Sequence, residues 1–79
     1  MARGFRHYLR RTVVVNLRTN KAFRGVLFDE RGPLLILKGA SLLEPGSAPI
    51  PVDGEVLIDK ANVDFAQALQ EVIDGNGRL

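Results

Sequence analysis

The chain has 79 residues, no cysteine and a net charge of +2, which allows one domain and excludes disulfides and thiolate metal sites. A chain this short buries only about 60% of its unfolded surface, so its own core is marginal. Yet 46% of the residues are hydrophobic, a surplus that self-association would cover.

Charge is distributed unevenly. Arg3, Arg6, Arg10 and Arg11 stand in the first eleven residues with no acid among them, while Asp64, Glu71 and Asp74 weight the other end. A basic end of this kind suits nucleic acid, an acidic partner or plain solubility. No apolar run approaches the roughly 18 residues needed to span a bilayer, and the arginines precede no apolar h-region. A soluble, cytoplasmic protein without a membrane partner is expected.

Residues 3–11 are expected to form a short helix, with Phe5, Tyr8 and Leu9 on one side and Arg3, Arg6 and Arg10 on another. Thr12 to Arg18 then alternates Val13, Val15 and Leu17 against Val14, Asn16 and Arg18, the period of a half-buried strand. Thr19-Asn20 marks a hairpin turn, because Asn tolerates positive φ.

A second strand runs from about Lys21 to Asp29, and Gly25 inside it predicts a sharp bend or a close backbone approach. Arg31-Gly32-Pro33 is the next turn, followed by a third strand from Leu34 to about Leu42. Residues 44–51 contain three prolines with Gly46 and Ser47, and read as a loop. A fourth strand, Val52 to Asp59, carries Val56 and Ile58 on one face. Lys60-Ala61 links it to a fifth, Asn62 to Phe65. From about residue 66 to 74, Leu69, Val72 and Ile73 take helical spacing before Gly75, predicting a short C-terminal helix.

This order predicts a mainly β fold: a small, strongly bent five-stranded antiparallel barrel of the SH3-like kind, flanked by a helix at each end. Val14, Val26, Phe28 and Leu57 oppose the inward-facing set. A strand apolar on both faces normally has cover on both, which terminal helices and neighbouring subunits would supply.

Leu17, Thr19-Asn20, Phe23, Gly25, Leu27 and Asp29, with Ile58-Asp59-Lys60-Ala61-Asn62-Val63 further on, resemble the two motifs of the Sm/LSm (Sm-like, Hfq-related) family. The resemblance covers about residues 5–66. It implies that the fourth strand pairs with the fifth strand of a neighbour, closing a homo-hexameric or homo-heptameric ring that binds RNA. Two departures bear on that RNA. The loop Asp29-Glu30-Arg31-Gly32-Pro33 lacks the family's Asn, and Asp59 stands where the second motif usually has Arg. Asn62, which matches the motif, is expected to shape the link and not to read a base.

Enzymatic parts are missing. His7 is the lone histidine, so a His-assisted nucleophile or a His/Cys metal site lacks its components. Asp53, Glu55, Asp59 and Asp64 alternate with apolar residues as a solvated strand face does. Gly25 belongs to no phosphate-binding fingerprint, and Phe23 and Phe28 read as packing residues. No cofactor, metal or catalytic residue is expected.

The arginines carry the functional expectation. Multiplied around a ring, Arg3, Arg6, Arg10 and Arg11 would crowd one rim with positive charge, and phosphate contacts gain with their number. Arg31 and Lys60, in loops expected near the pore, come next. RNA binding through phosphates is therefore expected. The competing reading is a ring that has lost uridine-type binding and serves as a structural or assembly module, in a phage or as an accessory factor. A monomeric SH3-like peptide binder is the third. It would need clustered exposed aromatics, whereas Phe5, Tyr8, Phe23, Phe28 and Phe65 read as core.

Overall fold

A computed structural model describes residues 4–70. β1 (Thr12–Leu17) takes the expected alternation, with Val13 and Val15 buried at 3% and 1% exposure. A tight hairpin joins it to β2 (Ala22–Arg31). Leu17 N–H donates to the Lys21 carbonyl at 2.8 Å, and Asn20 adopts the expected left-handed conformation with φ 72°. Gly32-Pro33 turns β2 into β3 (Leu34–Leu43), with Arg31 and Leu34 paired across the turn.

β2 and β3 are the longest strands, ten residues each, and neither stays flat. Their register slips between Arg24 and Val26 and again between Leu27 and Asp29. Such bulges bend and twist a strand pair. The first lies at Gly25, where an added Cβ would stand 3.0 Å from the Ala40 Cα and from the Lys38 carbonyl oxygen. Only a residue without a side chain lets the two backbones approach this closely.

The bend divides the far edge of β3 between two partners. Leu34 to Lys38 pairs with β5 (Glu55–Asp59), while Ser41 and Leu42 pair with the two-residue β4 (Ile50–Pro51). A 3₁₀ turn at Lys60–Asn62 then leads to β6 (Val63–Ala68), which returns to β1. The pairing path is β5-β3-β2-β1-β6, entirely antiparallel. With β4 counted as a bridge beside β3, β5 and β6 are the fourth and fifth strands of the sequence reading. The curled sheet encloses Val13, Val15, Leu27, Leu35, Leu37, Ala40, Val56 and Ile58.

The expected loop over residues 44–51 ends in β4, which bends back to pair with β3, and the expected fourth strand from Val52 begins only at Glu55. Both expected terminal helices also differ. The helix over residues 3–11 is a single 3₁₀ turn, Arg6–Tyr8. So short a helix carries the full nucleation penalty. This one also has no side-chain cap and no acid in its first turn. Tertiary hydrogen bonds claim the following residues instead. Arg10 N–H donates to the Leu27 carbonyl at 2.7 Å, and Leu27 N–H to the Arg11 carbonyl at 2.9 Å. At the other end, residues 66–68 continue β6 and Leu69 N–H still donates to the Thr12 carbonyl at 2.9 Å. The unpaired edge of β1 thus takes the residues expected to start a helix. Residues 71–74 of that expected helix lie outside the described residues.

The Gly25 contact sets a testable cost. Gly25→Ala forces a methyl against main-chain atoms that cannot rotate away, which costs about 1–3 kcal/mol. In a domain of this size thermal unfolding should fall by about 4–8 °C for each kcal/mol of destabilisation. An unchanged melting temperature would contradict the close packing described.

Candidate nucleic-acid interface

Three connections and the N-terminal turn meet at one end of the barrel. The Lys60–Asn62 turn is tied to both hairpins: Lys60 N–H donates to the Pro33 carbonyl at 2.8 Å, and Arg18 N–H to the Asn62 carbonyl at 2.9 Å. Asp59 caps that turn by accepting from Ala61 N–H at 2.9 Å. The carboxylate at the family's arginine position therefore has a local backbone task. Asn62 likewise serves the link through its carbonyl.

Glu30 is the centre of this end. One carboxylate oxygen accepts the Phe5 N–H at 3.0 Å and the other pairs with the Lys60 ammonium. The Lys60 bond, then the Phe5 N–H, hold the Glu30 carboxyl below its ordinary value of 4.5, and Arg6 adds a smaller electrostatic effect. Asp29 beside it accepts from Arg31 Nε at 2.8 Å and from the Glu30 N–H at 2.7 Å. Those two bonds, the Arg31 one foremost, lower its pKa as well. A shallow cleft of about 410 Å³ opens here among Gly4, Arg6, Glu30, Gly32 and Lys60.

The six expected phosphate-binding residues fall into different surroundings. Arg3 lies outside the described residues. Arg6 is exposed and lines the cleft with Lys60. Arg31 is close by, engaged with Asp29. Arg10 stands apart with φ 72°, its guanidinium 4.9 Å from the centre of the Phe28 ring. A left-handed conformation is uncommon for a residue other than Gly, Asn or Asp. Here it lets the Arg10 N–H reach β2 and turns the side chain onto Phe28. Arg11 is half-buried. Its guanidinium donates to the Leu69 carbonyl at 3.0 Å and lies 5.6 Å from the Tyr8 ring centre, tying the N-terminal turn to the end of β6.

Phe28 is the residue that most changes its meaning in three dimensions. The Lys38 ammonium lies 3.7 Å from its ring centre, so two cations cover it. Basic stems thus shield part of the outer apolar face expected to need helices or neighbours. Arg24 and Lys38 escaped the sequence reading as surface cations of this outer face. The outward alternation of Arg24, Val26 and Phe28 was the available signal, but locating Lys38 required the β2–β3 register.

The Glu30 clamp has a pH signature. Because its folded pKa is depressed, the stability it contributes is present above the ordinary value of 4.5 and disappears as pH falls through the folded value. Glu30→Gln keeps an acceptor for Phe5 but removes the charge. The variant should melt below the parent at pH 7, with the gap closing as pH falls below the ordinary value of 4.5 and through the folded one. A gap independent of pH would show that the ion pair contributes nothing.

Comparison with solved structures places the architecture. The fold superimposes on a Pyrococcus abyssii Sm protein solved in complex with a uridine heptamer, with TM-score 0.72 and 23% identity over 81% of this chain and 90% of that one. A heptameric archaeal Sm protein gives TM-score 0.71 and 23% identity over 82% and 94%. A chain of the NatC complex bound to CoA gives TM-score 0.72 and 17% identity over 89% and 90%. No family model and no curated protein matches the sequence. The bent antiparallel sheet, its split third strand and its 3₁₀ link together make this an Sm-like fold.

Proposed function

We propose that the chain is a non-enzymatic RNA-binding protein that works as a closed homo-oligomeric ring. The carrying observation is its pair of open edges. Among the described residues, β5 pairs only with β3 and β6 only with β1. Each open strand also exposes a large apolar side chain, Leu57 at 57% and Phe65 at 54%. Unpaired edges with exposed apolar residues invite further strands. Two different edges on one chain make a heterologous contact, which closes into a ring if the rotation allows. The heptameric archaeal Sm protein of the same fold supports this reading.

RNA would be held by phosphate contacts from the N-terminal arginines and from the crowded end of each subunit. Arg6 and Arg10 lead, because neither is in an ion pair among the described residues. Arg3 and Arg11 flank them in sequence, and Arg31 and Lys60 contribute despite their carboxylate partners. The uridine heptamer carried by the Pyrococcus protein supports RNA as the ligand.

A second reading keeps the fold as an assembly module without RNA. Two observations favour it: Asp29 and Glu30 already engage Arg31 and Lys60, and the fold recurs inside the NatC complex.

Light scattering at micromolar concentration should give six or seven times the 8.7 kDa chain mass, and Leu57→Glu should return a single-chain particle. A parent of one chain mass removes the ring. Mobility shifts with uridine-rich and adenine-rich RNA separate the two functional readings. The Arg6→Ala, Arg10→Ala double variant should weaken both by about tenfold or more and flatten the salt dependence. Unchanged affinity in that variant would reject the rim contacts.

A further inference from the structure

β2 is the middle strand of the path β5-β3-β2-β1-β6. Its outer face is therefore the part of the sheet furthest from both edges that ring closure would cover. Arg24 emerges on this face, exposed and in no ion pair among the described residues. The register places it between Val14 on β1 and Ser41 on β3. Beside it lies a cleft of about 200 Å³ lined by Thr12, Arg24, Val26, Gly39 and Ser41, among others, with no carboxylate in its lining.

The chemistry of that lining is one-sided. It offers a guanidinium, two hydroxyls and a glycine in the left-handed conformation, φ 60°, with open space where a Cβ would stand. A planar guanidinium fork beside two hydroxyls matches a phosphate group, which accepts several hydrogen bonds at once. Lys38, in register with Val26, adds positive charge on the same face, although Glu55 lies 3.7 Å from its ammonium.

We propose that this outer cleft binds a backbone phosphate of an RNA strand that has run past the rim, making Arg24 the anchor of a second contact separate from the Arg6 end. The inference rests on the RNA-binding reading and extends it to a surface that reading leaves unused. A short oligonucleotide can occupy the rim alone, whereas a longer strand reaches the outer face of the subunits it crosses.

The test compares Arg24→Gln with the parent on a uridine heptamer and a uridine 30-mer at several salt concentrations. The variant should bind the heptamer as the parent does and bind the 30-mer about fivefold or more weakly. Its salt slope on the 30-mer should be shallower by about 0.7 for each phosphate that it no longer neutralises. Arg24→Lys should recover part of the affinity, since charge returns without the fork. Affinities of the Gln variant equal to the parent's for both lengths overturn the cleft and leave the rim reading standing. Equal weakening on both lengths places Arg24 in the rim contact and overturns the separate site. A parent that binds neither RNA removes the RNA reading itself and the cleft with it.

Discussion

Where β2 crosses β3, the Gly25 backbone lies so near Ala40 that a methyl group would stand 3.0 Å from the neighbouring main chain, and most of the architecture follows from that crossing. The local bulge turns the strand pair out of plane. β3 then presents one end to β5 and the other to β4. A sheet this short gains an enclosed core only by curling, and Leu35 and Leu37 at 0% exposure show that the curl succeeds. Curling also leaves β5 and β6 as the two ends of the path. The bend that completes the core is thus the same feature that leaves the edges available.

Charge follows a second logic at the end where the connections gather. Asp29 and Glu30 succeed one another on β2, yet each is directed to a different cation, Arg31 and Lys60. Glu30 additionally takes a main-chain N–H from Phe5. The N-terminal turn, the end of β2 and the 3₁₀ link are therefore fastened through one carboxylate. Any phosphate arriving there meets cations already engaged, so binding exchanges one anion for another at those residues. Arg6, Arg10 and Arg24 form no ion pair among the described residues, which is why they dominate the electrostatic reading. The surface divides into cations that hold the fold and cations left for a ligand.

Much of the barrel was legible because short-range rules and tertiary demands agreed. Val13 and Val15 alternate and are buried, Asn20 takes positive φ at a turn, and Gly25 marks the bend. The N-terminal helix failed where they disagreed. Amphipathic spacing over residues 3–11 is a weak helix signal, and the main-chain hydrogen bonds that Arg10 donates to Leu27 and Arg11 accepts from it outweighed it. The same competition extended β6 through residues 66–68, because the β1 edge offers partners that an isolated helical turn lacks.

The candidate site shows the division most sharply. Sequence alone determined the five longer strands, where the sheet bends, that the positive charge gathers at the start of the chain, and which family motif the strands echo, but not β4, which lies in the expected loop. These depend on periodicity, turn chemistry and composition, all local properties. Only the tertiary structure decided which cations are committed: Lys60 to Glu30 thirty residues away, Arg11 to the Leu69 carbonyl, Lys38 to the Phe28 ring. Those pairings join residues far apart in the chain through strand register. A register shift of one residue would reverse every facing side chain, so no local pattern contains them.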